Sequence, residues 1–417
     1  MNNNWSVSAI GRRLTERCDA LAVFSESTDA LTRVYLSKQH RAAHQQVAQW
    51  MIGAGMRIWH DAVGNVCGRY EGVRAGAPAL LLGSHLDTVR NAGKYDGMLG
   101  VITAIELVAR LHENNQRLPF AIEVVGFADE EGTRFGSTLL GSRGLTGQWQ
   151  DDWLKLCDVN GVSLAQALEQ FGLPVSAISR AARSAQDFIG YLEVHIEQGP
   201  QLEAAQLAVG VVTAINGAKR LNFTINGQAG HAGTVPMAQR QDALVAASEL
   251  VLAIETIARA RNVVATVGQI SCKPGAVNVI CAQVHMSLDI RAADDRQRDQ
   301  ALTDILARAA QISEKRRVQI SEACFYQSDA TPCDVTLQHY LQSACDKVQG
   351  QSLSLASGAG HDAMAIAQLC PVGMLFVRCA GGISHHPGEA VLSDDLGLAF
   401  LVLDDAVRQL AESPISG

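Results

Sequence analysis

His85 and Asp87 stand two residues apart in Gly83-Ser84-His85-Leu86-Asp87-Thr88, directly after the apolar run Ala79-Leu80-Leu81-Leu82. That run reads as a short buried parallel strand, and residues two apart at its end point the same way. An imidazole beside a carboxylate on one face is how a metal-binding histidine has its ring orientation fixed. Asp96, in Tyr95-Asp96-Gly97, precedes a long apolar helix over 101–111. It is expected to cap that helix and turn its other oxygen toward a metal. Similar groups follow later apolar runs: Glu130-Glu131 after 120–128, His195 in the stretch 191–198, and His385-His386 after 372–377. In open α/β sheets chemistry collects at the carboxyl ends of strands, so these groups are expected to meet. Taken singly, each histidine reads as structural or solvent-facing; the recurrence at four strand ends reverses that.

A mixed imidazole and carboxylate set suits zinc or manganese. His85, Asp96, Glu131, His195 and one of His385 or His386 come close to what two divalent ions need, one carboxylate being shared between them. The consecutive pair Glu130-Glu131 lets one carboxylate bind metal while the other takes a proton from water.

The elements that must hold these groups are legible in outline. A helix opens the chain and gives way to loop near Phe24, and Ser37 caps a second helix that Gly53 and Gly55 stop. Segments 56–60 and 65–70 read as a hairpin, and a helix over 163–171 stops at Gly172. In 191–198, Leu192, Val194 and Ile196 share one face, with Glu193, His195 and Glu197 on the other. From about 213 the texture changes to strand 219–226, helix 239–260, strand 263–270, strand 279–290, helix 295–314 and strand 317–325. That is the split β-α-β-β-α-β, ferredoxin-like order. Beyond 328 come a helix over 335–348, a buried strand over 372–377 and a closing helix near Ser393. The expected fold is therefore α/β. A doubly wound, mixed-sheet catalytic domain (1–212 and 328–417) is interrupted by an inserted ferredoxin-like α+β domain (213–327), expected to be a dimerisation domain because the exposed sheet edge and helices of an insert commonly pair.

Composition narrows the partners. The chain has 417 residues, 47% hydrophobic and 18% charged, with net charge −8, which suits a soluble protein of about two domains without a nucleic-acid or anionic-membrane partner. Ten scattered cysteines without a C-x-x-C pair read as reduced thiols, and no apolar run approaches the ~20 residues of a membrane span. The expected location is the cytoplasm.

In order and spacing the motifs GSHLDT (83–88), YDG (95–97), ADEEG (128–132), HIEQGP (195–200), GHAGTVPM (230–237), NVI (278–280), SGAGHDA (357–363) and GGISHHPGE (381–389) cover nearly the whole chain. They resemble the dinuclear-metal amidohydrolases of the aminoacylase/carboxypeptidase-type metallopeptidase superfamily. Within it they are similar to the branch of allantoate amidohydrolases, N-carbamoyl-L-amino-acid hydrolases and β-ureidopropionases. The resemblance implies two divalent metal ions, with His85 and His195 each binding one, Asp96 bridging them, and Glu131 and His385 completing the set. The motif has its histidine after Ser and two before Pro, which favours His385 over His386. Glu130 matches the general base and Asp87 the partner of His85.

Substrate contacts implied are Gln198, Asn278, Arg291, Arg220 beside Lys219, and Gly360 beside His361; Arg291 has the planar fork that grips a carboxylate. His231 would stabilise the oxyanion, in relatives often from the partner subunit of a homodimer. Met364 departs from the Gln of many relatives. The implied reaction is hydrolysis of a carbamoyl (ureido) C–N bond in a small carboxylate. Allantoate, giving ureidoglycine, ammonia and carbon dioxide, comes first; N-carbamoyl-L-amino acids and N-carbamoyl-β-alanine come next. A non-catalytic binding protein on the same scaffold would have lost a ligand or the base, and none of these residues is missing.

Overall fold

A computed structural model describes residues 5–412. They form two compact units: the first holds the residues up to Thr213, Cys333–Leu355 and those from Ala359 onward, the second Ala214–Pro332 and Ala356–Gly358.

In chain order the strands begin with β1 (Arg57–His60), β2 (Val66–Tyr70), β3 (Ala79–His85), β4 (Ala121–Phe127), β5 (Phe188–Ile196) and β6 (Val209–Ile215). The second unit contributes β7 (Gly217–Asn226), β8 (Val264–Thr266), β9 (Ile270–Lys273), β10 (Gln283–Ala292) and β11 (Gln319–Ser328). The short β12 (Thr331–Pro332) and β13 (Ser354–Ser357) and the long β14 (Val372–Val377) follow.

The larger sheet runs β1-β2-β4-β3-β5-β14-β6, and β4, β3, β5 and β14 are mutually parallel. Parallel strands in mid-sheet are covered on both faces, and their sequences show it: β3, β4 and β14 are buried at every position. The alternation in 191–198 separates an apolar face from a polar one. Yet β5 lies between β3 and β14, so Glu193 and His195 are as buried as Leu192 and Val194. The helix Met98–Glu113 packs on this sheet and is buried almost all round. Its one buried acid, Glu106, is met by Arg13 and Arg17 of the helix Val7–Ala22.

Local signals place the ends of elements. Ser37 accepts the His40 N–H to start Lys38–Gly53. Ser163 and Gln166 form a capping box for Leu164–Phe171, which Gly172 ends in the left-handed region. The expected cap by Asp96 is not made: the helix begins at Met98 behind Gly97, with no side-chain cap. The Asp96 side chain is turned instead to histidines.

In the second unit the antiparallel order β11-β7-β10-β8, with β9 also on β10, is the ferredoxin-like arrangement. Helices Ala243–Arg261 and Asp295–Arg316 close its core over Leu221, Phe223, Val284, Met286, Leu288 and Ile290. Two expected strands differ. The one over 263–270 is broken into β8 and β9, and the one over 279–290 begins only at Gln283. Val279 and Ile280 pair instead with Gly230 and His231, which draws them off the sheet. All ten cysteines are free thiols, and no described helix is long and apolar enough to cross a membrane.

His40 and His44, one turn apart on Lys38–Gly53, are both buried with ring centroids 4.0 Å apart. Burial, then the charge of Arg33, pulls His40 down to about 3, and burial, then His40, pulls His44 well below the usual imidazole value. Unfolded imidazoles take up protons below about pH 6.5, so the folded chain binds fewer protons there and stability falls as pH drops toward 3. Urea unfolding at pH 7 and pH 5 is expected to show a loss of about 2 kcal/mol per imidazole. A His40→Leu/His44→Leu variant should lose correspondingly less, and an unchanged pH slope in it would refute this origin.

Candidate metal centre

The four parallel strands end on one edge, and each delivers part of one cluster. His85 is the last residue of β3, Glu130 and Glu131 follow β4, His195 is next to last in β5, and His385 lies in the loop after β14. Asp96 is their meeting point. Its Oδ1 lies 3.4 Å from His85 Nε2 and 3.2 Å from His195 Nε2, and its Oδ2 lies 3.2 Å from His385 Nε2. His385 Nε2 is also 3.4 Å from Glu131 Oε1. Gly97 makes room for this: its φ is +71°, and a Cβ there would stand 2.4 Å from the His85 ring. His386 turns away, its Nδ1 accepting the Gly388 N–H.

The rings are held from behind. His85 Nδ1 is 3.0 Å from the Asp87 carbonyl and His195 Nδ1 is 2.9 Å from the Ile196 carbonyl, so each presents Nε2 to the cluster. For His85 the orienting acceptor is thus the backbone of Asp87, whose carboxylate does something else. Its two oxygens accept the N–H groups of Glu130 and Glu131, at 3.0 and 3.1 Å, and seat that pair.

Charge is concentrated here. Burial disfavours ionised Asp96, yet the imidazoles of His195, His385 and His85 outweigh it and hold the carboxyl well below its usual range. The hydrogen bonds to Asp96 and Glu131 raise His385 to about 10. Burial, then the charge of Glu131, pushes Glu130 well above the usual carboxylate range. Facing imidazole nitrogens and crowded carboxylates are a poor arrangement for one another and a good one for cations. Ligand atoms of His85, Asp96 and His195, of His85, Glu130 and Glu131, and of Asp96, Glu131 and His385 each lie within 4.8 Å of one another. Asp96 belongs to two of these groups, as a carboxylate shared between two cations would. The donors therefore fit a pair of borderline or hard divalent ions.

Comparison with known proteins then decides the family. Residues 81–409 match the model for peptidase family M20/M25/M40. The chain belongs to that family. Members are generally dinuclear metal enzymes, and this member carries the candidate metal-binding groups just described. The chain is 40% identical over 413 residues to allantoate deiminase 2 of Glycine max, covering 91% of this chain and 86% of that one. It is 39% identical over 404 residues to the N-carbamoyl-L-amino acid amidohydrolase of Geobacillus stearothermophilus, covering 96% and 99%. A solved amidase of the hydantoinase/carbamoylase family from Burkholderia multivorans superposes with a TM-score of 0.90 at 29% identity, covering 97% and 98%.

Other expected site residues of this M20 member fall in two places. Gln198 joins the cluster, with Nε2 2.9 Å from Asp96 Oδ2 and 3.1 Å from Ser384 Oγ. Gly360 lies by Glu130: a Cβ there would be 3.6 Å from Glu130 Oε1 and 3.7 Å from Met364 Sδ. His231, Asn278, Arg220 and Arg291 belong to the second unit. His231 is exposed, and its loop pairs with the one holding Asn278. Arg220 and Arg291 both grip Asp289, Arg291 through Nε at 2.7 Å and Nη2 at 2.9 Å, with Nη1 on the Gly358 carbonyl. The Arg291 fork is thus already half engaged.

The structure also brings in residues with no expected role. Glu193 accepts the Ser84 hydroxyl at 2.7 Å, whereas His361, already named beside Gly360, stands with its buried ring 4.5 Å from that of His195. Alternation in β5 put Glu193 on the face of His195 and was the available signal. Arg33 had none. It is fully buried, its guanidinium donates to the carbonyls of Leu86 and Leu21, its N–H donates to the Thr88 hydroxyl and its carbonyl accepts the Thr88 N–H, so it fixes the segment between His85 and the start of the Asp96 loop. Arg33→Met removes the donor of the buried Leu86 carbonyl, while Leu21 still accepts the Phe24 N–H. The substitution is expected to cost about 3 kcal/mol in urea unfolding; a loss under about 1 kcal/mol would show that the segment holds itself.

Proposed function

We propose that this M20 member hydrolyses a ureido (carbamoyl) C–N bond in a small carboxylate, with allantoate as the first candidate and N-carbamoyl-L-amino acids or N-carbamoyl-β-alanine next. The observation that carries the reading is Asp96 shared between two groups of imidazole and carboxylate donors, in a chain 39–40% identical to an allantoate deiminase and an N-carbamoyl-L-amino acid amidohydrolase.

His85, Asp96, Glu131, His195 and His385 hold two divalent cations, zinc or manganese. When bound, such ions polarise the carbonyl under attack and make water a stronger acid near neutral pH. Glu130, seated by Asp87 through its backbone, takes the proton from the attacking water and returns it to the departing nitrogen. Arg291 contributes to carboxylate binding through the outer edge of its guanidinium, where it lines a pocket of about 340 Å³ with Asn216, Thr266 and Gly358. Asn278, Arg220, Gln198 and Gly360 are the further substrate contacts, and His231 steadies the negative charge that develops on the substrate oxygen.

A homodimer through the second unit accords with the apolar side chains its outer elements expose, Leu252 at 65% and Ile270 at 51%. A cytoplasmic location accords with ten free thiols.

Glu130→Gln is expected to lower kcat by roughly 10³-fold while bound-metal content stays at the wild-type level. Full turnover by that variant would remove Glu130 as the base. Ammonia release from allantoate, N-carbamoyl-glycine, N-carbamoyl-β-alanine and a dipeptide tests the substrate class. Allantoate is expected to turn over fastest, and a dipeptide cleaved faster than every ureido acid would overturn the reading.

A further inference from the structure

Glu389 closes the last motif of the chain, and its 5% exposure leaves it no solvent to answer its charge. Three donors do so. Its Oε1 accepts the backbone N–H groups of Tyr95 at 2.8 Å and Asp96 at 3.2 Å, and its Oε2 accepts the Ser384 hydroxyl at 3.2 Å. Its own N–H donates to the His386 carbonyl at 3.0 Å, closing the turn that follows His385. One residue therefore ties the Asp96 loop to the His385 loop, nearly three hundred positions away in sequence.

We propose that Glu389 is a positioning residue for the dinuclear centre, holding Asp96 and His385 in register with one another. The inference rests on the dinuclear reading above. Neither loop is held by the sheet. Asp96 lies between β3 and the helix Met98–Glu113, and His385 has a φ of +55° just after two left-handed glycines, Gly381 and Gly382. Such a backbone persists only where its surroundings fix it.

Ser384 adds a second part. Its single hydroxyl hydrogen has two carboxylates in reach, Asp96 Oδ2 at 2.9 Å and Glu389 Oε2 at 3.2 Å. Turning to Glu389 removes one of the two donors on that Asp96 oxygen, the other being the Gln198 amide. The seat is tight on its far side: a Cβ on Gly93 would stand 2.3 Å from Glu389 Cβ.

The test is Mn²⁺ affinity and stoichiometry, by calorimetry on metal-stripped protein, for wild type, Glu389→Ala, Glu389→Gln and Gly93→Ala, with urea unfolding of the same metal-free proteins. Removing a group that orients a ligand lowers metal affinity by roughly 10–100-fold, and that loss is expected in Glu389→Ala and Gly93→Ala. Glu389→Gln should stay within a few-fold of wild type, because its amide oxygen still accepts both N–H groups. Wild-type affinity in the Ala variants with only their metal-free stability reduced, or equal losses in Glu389→Ala and Glu389→Gln, would overturn the proposal. Fewer than two Mn²⁺ per wild-type chain would instead remove the dinuclear reading and this inference with it, before any variant is compared.

Discussion

A buried carboxylate with imidazoles on three sides is the constraint from which the rest of this structure follows. Asp96 is 3% exposed, and the desolvation of its charge is large enough that it must be met locally. Histidines alone meet it only by becoming charged themselves, and the neighbouring Glu130 and Glu131 then crowd the same space. Much of the surrounding architecture serves to keep these side chains together. Backbone carbonyls aim the rings of His85 and His195, Asp87 seats the two glutamates, and Arg33 pins the segment before Asp96. The centre is built outward from a charge that is costly anywhere except beside cations.

This explains which parts of the molecule were legible in the sequence. The donors were readable because a parallel strand announces itself as an unbroken apolar run, and whatever polar residue follows is then at the sheet's functional edge. His85, Glu130, Glu131 and His385 all stand out in that way. The ferredoxin-like order of the second unit was readable for a similar reason, its helices being long and its turns marked. Less legible was what a side chain does once tertiary neighbours compete for it. Asp96 had the composition of a helix cap, yet three imidazoles outbid the helix end. Glu193 alternates with apolar neighbours in sequence, yet with β3 and β14 on either side of β5 it is as buried as they are.

Backbone conformation was the other blind spot. The ring of His85 is oriented by the carbonyl of Asp87, not its carboxylate, and no residue type signals a carbonyl. Arg33 and Glu389 act through backbone partners distant in sequence, so neither spacing nor periodicity could connect them to the centre. The late start of β10 arose likewise from a pairing of Val279 with His231 that lies outside the sheet.

The order of strands carries a consequence for how the protein comes into being. β14 lies between β5 and β6, strands made long before it. Until it emerges and inserts, those two have unsatisfied edges facing one another, and the loop bearing His385 has nothing to hang from. A chain still on the ribosome thus holds His85, Asp96, Glu131 and His195 before it holds His385. The cluster around Asp96 is complete only once the segment bearing His385 has been made.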